Sequence, residues 1–382
     1  MIQSLEGFKA GHRERRLGYS YFMPSLLHGP WTYSTPALST LLEQAALRLG
    51  ELNSYARLVP NIDLFIHLHV TKEAVVSSRI EGTQTNFQEA LMAKEDIDPE
   101  RRDDWQEVVN YTQAMNDALA SLTKLPLSSR LLRQTHARLV EGVRGEHKAP
   151  GQFRKSQNWI GGASLSDAVF IPPPHEEVDR LMGDLEDFIH SDQVGLPALI
   201  RIGMAHYQFE TIHPFLDGNG RIGRLMITLY LISIGMLDRP LLYLSSFFEQ
   251  NKSLYYDNLT RVRTHDDMVQ WLKYFLTGVE QTARLASKTL AEILELKQKA
   301  EYDVQHGLGR RAASGMKLLG ALLQNPITTT AQVMQVCGVT KKAANDLLEA
   351  FLKLGILKEA SGRMRYRYFV YKDYMDKFSI AL

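Results

Sequence analysis

The chain has 382 residues, 45% of them hydrophobic and 23% charged, with a formal net charge of +1. That length gives two or three domains at about 150 residues each, with ample core, in an ordinary globular composition. Near-neutrality excludes a protein that coats nucleic acid over its whole surface, and a single cysteine, Cys337, excludes an internal disulfide and a thiolate metal cluster. The first twenty residues carry Lys9, Arg13, Arg15 and Arg16 without an apolar core, so they do not read as a secretory signal. Helical periodicity predicts a helix over 36–59, with Leu38, Leu41, Leu42, Ala45, Ala46 and Leu49 on its apolar side. A second follows over 62–80 and a third over 86–93, then others over 103–122 and 128–142. Asn158-Trp159-Ile160 and Val169-Phe170-Ile171 read as a strand pair, joined through Gly161 and Gly162 and stopped by Pro172, Pro173 and Pro174. Helices are predicted again over 175–190, 196–212, 220–235, 250–263 and 267–300. The longest apolar stretch, 225–237, is too short to span a bilayer and reads as a central core helix. A cytoplasmic protein of bacterial type, making no membrane contact, is expected.

Composition shifts after about residue 300, where 308–382 hold twelve Lys or Arg against five Asp or Glu. Helices are predicted there over 315–324, 329–337 and 340–354, followed by a hairpin pairing 355–359 with 364–370 around Ser361-Gly362. Three helices and a hairpin follow the winged helix-turn-helix plan. The expected division is an N-terminal helical segment over 1–105, a helical core over 106–300 and a winged helix-turn-helix domain over 301–382.

Residues 213–224 concentrate the chemistry: His-Pro-Phe-Leu-Asp-Gly-Asn-Gly-Arg-Ile-Gly-Arg, entering an apolar helix. Glycines on both sides of Asn219 let backbone amides converge on one point, where the positive end of the helix dipole also lies. The turn is therefore built for an anion. Arg221 and Arg224 supply forked donors for phosphate oxygens. Asp217 suits a magnesium ion already held by phosphates. His213, four residues before Asp217, is placed as a general base. The pattern implies transfer of a phosphorus-containing group from a nucleotide.

The stretch resembles the signature of the Fic/Doc family at His213, Phe215, Asp217, Gly218, Asn219, Gly220, Arg221 and Arg224. The resemblance implies a mainly α fold, a Fic-type helical bundle with a small β-hairpin flap. It also implies a protein adenylyltransferase that moves AMP from ATP, with Mg2+, to a Ser, Thr or Tyr hydroxyl of a target protein and of itself. His213 would be the base and Asp217 the metal ligand. Asp217 through Arg224, with Ile222 and Gly223 among them, would bind nucleotide. Ser77, Glu81 and Gly82, at the end of the second predicted helix, resemble the family's inhibitory motif. In family terms Glu81 would pair with Arg224 and keep it from the γ-phosphate. Independently, a glutamate in a last helical turn faces the negative end of the dipole and needs a cation from elsewhere.

The 158–171 hairpin is similar to the flap that aligns the target by strand addition. Tyr255 and Tyr256 match a pair flanking the adenine, although Arg263 stands where some relatives have an asparagine. His206, two turns before His213, could suggest a His-His-Asp metal site, but the turn and paired arginines are phosphate features, so it reads as structural. In the basic C-terminal region Lys341, Lys342, Asn345, Arg363, Arg365 and Arg367 suit DNA phosphates, or belong to a docking or dimer-supporting module. A homodimer is the expectation from relatives. Removal of AMP, transfer of another phosphorylated group, and DNA-binding regulation through a nucleotide-sensing core remain open.

Overall fold

A computed structural model describes residues 2–16, 18–59, 62–360 and 367–379, without the Leu64 side chain. The first thirty-five residues form strands that the hydropathy pattern does not reveal. Gln3–Ser4 (β1), Gly11–Arg16 (β2), Tyr19–Pro24 (β3) and Trp31–Thr32 (β4) pair as β1 with β4, parallel, and β2 with β3, antiparallel from Gly11↔Pro24 to Arg16↔Tyr19. Strand β2 reads Gly-His-Arg-Glu-Arg-Arg and has no buried face, so it lacks the alternation by which a half-buried strand is recognised.

Helix α1 (Pro36–Leu58) starts with proline in its first turn and buries Leu38, Ala45, Leu49 and Leu52. Helix α2 (Asp63–Ile80) is enclosed, with Phe65, Leu68, Ala74 and Val76 fully buried. A single-turn helix α3 (Phe87–Ala90) follows, held by a capping box between Asn86 and Glu89, and is shorter than the predicted 86–93. Helices α4 (Arg102–Ser121), α5 (Ser129–Leu139), α6 (Val178–His190), α7 (Ala198–Ile212) and α8 (Asn219–Ser233) build the core. Both α7 and α8 are buried on nearly every face, as the uninterrupted apolar run predicts.

Short α9 (Ser245–Gln250) and α10 (Lys252–His265) lead into α11 (Met268–Gly307), a helix of 40 residues. Helix α11 outruns its predicted end near 300 because Ala300 and Val304 continue its buried stripe. Helix α12 (Ala312–Gln324) packs on that extension. Beyond it come β5 (Ile327–Thr329), α13 (Thr330–Cys337), α14 (Lys341–Lys353), β6 (Lys358–Glu359), β7 (Tyr368–Val370) and α15 (Lys372–Ser379). The three strands form a sheet in the order β5-β7-β6, antiparallel throughout. Strand β5 is absent from the sequence-based expectation, because three residues carry too little pattern. The expected turn at Ser361-Gly362, with Arg363 and Arg365, lies outside the described residues. Arg367 is committed to an ion pair with Glu359 and lies over the Phe369 ring. No helix among the described residues is long and apolar enough to cross a membrane.

The expected strand pair at 158–171 contracts to one bridge, Ile160 with Phe170, whose amides and carbonyls exchange bonds of 2.8 and 3.1 Å. The pairing goes no further because in this register Asn158 faces Pro172, which has no amide hydrogen to give the ladder. On the far side, Ile171 gives its carbonyl to the Phe22 amide of β3 at 3.0 Å.

Candidate active site

Helix α7 ends at Ile212, and His213 closes it in the left-handed conformation, φ 52°. The loop then folds on itself through Asn219, whose Oδ1 accepts from the Phe215 amide and whose Nδ2 donates to the Phe215 carbonyl, both at 2.8 Å. The Phe215 ring is buried and stacks on His136 of α5, centroids 3.9 Å apart and planes within 4°. His136 Nδ1 accepts the Gly151 amide at 2.9 Å, so its Nε2 carries the proton and donates to the Asp217 carbonyl at 3.0 Å. Gly218 takes φ 75° and would bring a β-carbon to 3.2 Å from Leu139, which only glycine avoids. No side chain caps the first amides of α8. The amides of Asn219, Gly220 and Arg221 and the positive dipole end are thereby offered at the mouth of the loop.

A buried cation outside the predicted set secures the base. Arg154, 2% exposed, donates to the carbonyls of His213 at 3.0 Å, Ile212 at 3.3 Å and Ser156 at 3.3 Å, and to that of Pro173. Asn158 adds bonds to the carbonyls of Phe215 at 2.9 Å and His213 at 3.3 Å. Together they clamp the end of α7 and the base of the flap to the loop. Burial pulls the His213 imidazole down to about 4, and the Arg154 charge acts in the same direction against Glu81. His213 is therefore neutral at physiological pH and able to accept a proton.

Arg221 is held from a second helix. Its Nη1 donates to Glu107 of α4 at 3.0 Å, and Glu107 also accepts from Arg144 at 2.8 Å. Asp217 accepts the Gly218 amide at 2.6 Å, lies 3.5 Å from Arg221, and keeps its side chain 40% exposed. Among the described residues no group of three His, Cys, Asp or Glu could hold a metal unaided. A single open carboxylate beside an anion cradle fits a cation whose remaining ligands are phosphate oxygens and water.

The second arginine is tied from α2. Arg224, buried, donates from Nε to Ser77 Oγ at 2.9 Å and from Nη2 to the Ser77 carbonyl at 2.8 Å and Glu81 Oε1 at 2.7 Å. Burial pushes the Glu81 carboxyl up, and the charge and hydrogen bond of Arg224 more than reverse this, leaving it below its ordinary value. Glu81 ends α2 as its C-cap, so the pairing answers the unfavourable dipole.

The two tyrosines part company. Tyr255 is 1% exposed, stacks on Phe248 and bonds His206 Nε2 at 2.9 Å, whereas Tyr256 is 41% exposed. His206 donates from Nδ1 to the Gly223 carbonyl at 3.0 Å and faces an all-aromatic wall, which makes it structural. Arg263 lies 3.9 Å over the Phe170 ring at the flap. Glu210, one turn before His213, is buried against Gly223 with Oε1 unpartnered, and burial pushes its carboxyl up to about 7. Glu107, His136, Arg154, Asn158 and Glu210 all escaped sequence reasoning as site residues. Of these only Glu210 carried a signal, its spacing of three from His213.

A neutral imidazole beside an uncapped helix start, flanked by two restrained arginines, defines a helical protein that handles an anionic group at the α7–α8 loop. The Fic/DOC family N-terminal model matches residues 39–120 and the Fic/DOC family model residues 126–231. The chain thus carries a Fic/DOC N-terminal domain and a Fic domain. It is 28% identical over 238 residues to Protein adenylyltransferase Fic of Culex quinquefasciatus, covering 59% of this chain and 44% of that one. It is 27% identical over 252 residues to the Drosophila willistoni protein of the same name, covering 64% and 46%. The chain thus spans a little under half the length of these relatives. A Fic family protein from Desulfovibrio desulfuricans shares the fold with a TM-score of 0.58 at 21% identity, over 90% of this chain and 98% of that one. A Fic-1 structure from C. elegans matches with a TM-score of 0.51 at 20% identity, over 67% and 74%.

Proposed function

We propose that the protein transfers AMP from ATP to Ser, Thr or Tyr hydroxyls of a target protein and of itself, and that Glu81 restrains this by holding Arg224. The observation that carries the reading is His213, clamped by Arg154 at the end of α7, one loop ahead of the uncapped start of α8. His213 accepts the hydroxyl proton as the hydroxyl oxygen forms its bond to the α-phosphorus. The bond from that phosphorus to the pyrophosphate oxygen breaks, and pyrophosphate leaves. The amides of Gly218, Asn219, Gly220 and Arg221 and the start of α8 through Ile222 and Gly223 cradle the phosphates. Arg221 contributes charge from its seat on Glu107. The Asn219 side chain serves the loop, so its share in binding is its backbone. A magnesium ion on Asp217 would neutralise phosphate charge. Tyr256 offers its exposed ring to the adenine, and Tyr255 supports it from behind. Such a site works by positioning and charge stabilisation.

The restraint follows from donor counting. With Nε and Nη2 of Arg224 occupied by Ser77 and Glu81, the guanidinium has no fork left for a γ-phosphate. The test is incubation with α-labelled and γ-labelled ATP. Label from the α position alone is expected in the Glu81→Gly protein and is expected to vanish in Glu81→Gly/His213→Ala. Incorporation of γ label, or α label surviving without His213, overturns the reading. The C-terminal unit is read as a winged helix whose exposed Lys341 and Lys342, opening α14, meet DNA phosphates. A salt-dependent mobility shift with duplex DNA is then expected, and its absence at low salt refutes that part. The protein is also read as a homodimer in the cytoplasm, checked by light scattering and fractionation.

A further inference from the structure

Two turns and one turn before Ser77 on α2, and on the segment leading into α9, three buried polar atoms lack a partner among the described residues: His69 Nε2, Glu73 Oε2 and the Tyr243 hydroxyl. Their residues are 8%, 3% and 8% exposed. Orphans of this kind are uncommon, because each costs about 1–3 kcal/mol when left unpaired. All three line one cavity, between α2, the segment leading into α9, α11 and α15. Its volume is about 110 Å3, room for one small ligand in place of a few waters.

The charges in this cavity are matched in sign but not to each other. Glu73 Oε1 is occupied by Tyr111, at 3.1 Å, and by Ser245, which leaves Oε2 free to accept. Lys72, its neighbour in sequence, also lines the cavity and forms no ion pair among the described residues. A lone cation or a lone anion in the cavity would leave one of the two unpaired. Leu241, Phe247, Leu285 and Phe378 supply an apolar wall.

We propose that this cavity binds a small zwitterion of amino-acid type, its ammonium on Glu73 Oε2, its carboxylate on Lys72 and its apolar side chain against Leu285 and Phe378. The Tyr243 hydroxyl and His69 Nε2 complete the polar contacts. Burial pushes the Glu73 carboxyl up to about 7 and the Lys72 ammonium down to about 8, and an arriving zwitterion would favour the charged form of both. The site also touches the restraint. Glu73 lies one turn before Ser77 on α2, and Ser77 accepts from Arg224. Occupancy at Glu73 thus bears on Arg224 through one turn of α2. Binding itself does not rest on the transferase reading.

The test is thermal unfolding of the full chain with each common L-amino acid, L-leucine and L-phenylalanine foremost, and with phenethylamine and 3-phenylpropanoate as controls. An apolar amino acid is expected to raise the midpoint by about 2 °C or more, and the controls, each lacking one charge, to leave it unmoved. Lys72→Met and Glu73→Gln are expected to abolish the shift. Leu285→Trp, which fills the cavity from its half-exposed mouth without touching the buried polar groups, is expected to abolish it in a chain that still folds. No shift with any amino acid, or a shift retained in Leu285→Trp, overturns the proposal. Neither readout involves nucleotide, so this failure is distinguishable from failure of the transferase reading.

Discussion

The Glu81 carboxylate occupies the space that a side chain on Gly220 would need, and a β-carbon there would also fall 2.9 Å from Arg224 Nη1. The Glu81–Arg224 pair is therefore fixed by α8 as much as by α2, since any residue larger than glycine at 220 would evict the glutamate.

Glu81→Gly is expected to raise self-labelling with α-labelled ATP about tenfold or more, the equivalent of about 1.4 kcal/mol in the barrier. Initial rates at saturating ATP check this. An unchanged rate would remove the restraint from the account and leave the rest standing.

Ser77→Ala deletes the acceptor for Arg224 Nε but spares the Ser77 carbonyl and Glu81. A smaller activation than that of Glu81→Gly is expected, with a stability loss of about 1 kcal/mol. Denaturant unfolding run beside the labelling assay separates the two effects.

Asn219→Ala removes both bonds that close the loop on Phe215. Stability is expected to fall by about 2 kcal/mol, and labelling in the Glu81→Gly background by more than tenfold. If activity fell with no change in stability, the Asn219 side chain would act on substrate rather than on the loop.

Acid sensitivity follows from the buried histidines. Burial takes His69 and His206 down to about 3, and His136 and His213 down to about 4. Between pH 6.5 and about 4 the unfolded chain binds these protons and the folded chain does not, so stability is lost as pH falls. Glu73 and Glu210, raised to about 7, keep protons in the folded chain between 4.5 and 7 and oppose this trend. Four groups outweigh two, and the melting temperature is expected to drop from pH 6.5 to 4.5. His206→Gln is expected to reduce the slope by up to about 1.4 kcal/mol per pH unit.

Much of the fold and of this loop was legible because the signals are local. The 213–224 loop is one contiguous stretch, and α8 announces itself by the apolar run at 225–237. Glu81 was legible through its place at the end of α2. The supports were not legible, because they arrive from a distance. Glu107 reaches Arg221 across 114 residues, and Arg154 reaches His213 across 59. In sequence each is one charged residue among many, and only burial distinguishes it. The strand pair at 158–171 was overread because Pro172, read as stopping the strand after Ile171, already stands opposite Asn158 and leaves it no ladder partner. The terminal strands went unread because β2 buries no face.

His213 sits in a backbone conformation that costs an ordinary residue about 1–2 kcal/mol and glycine almost nothing. The proposed reaction needs its imidazole where its main chain is least comfortable. Folding and turnover thus pull this position in opposite directions. Selection for heat resistance alone would discard the proton acceptor, and its persistence in a library of variants would report selection for chemistry.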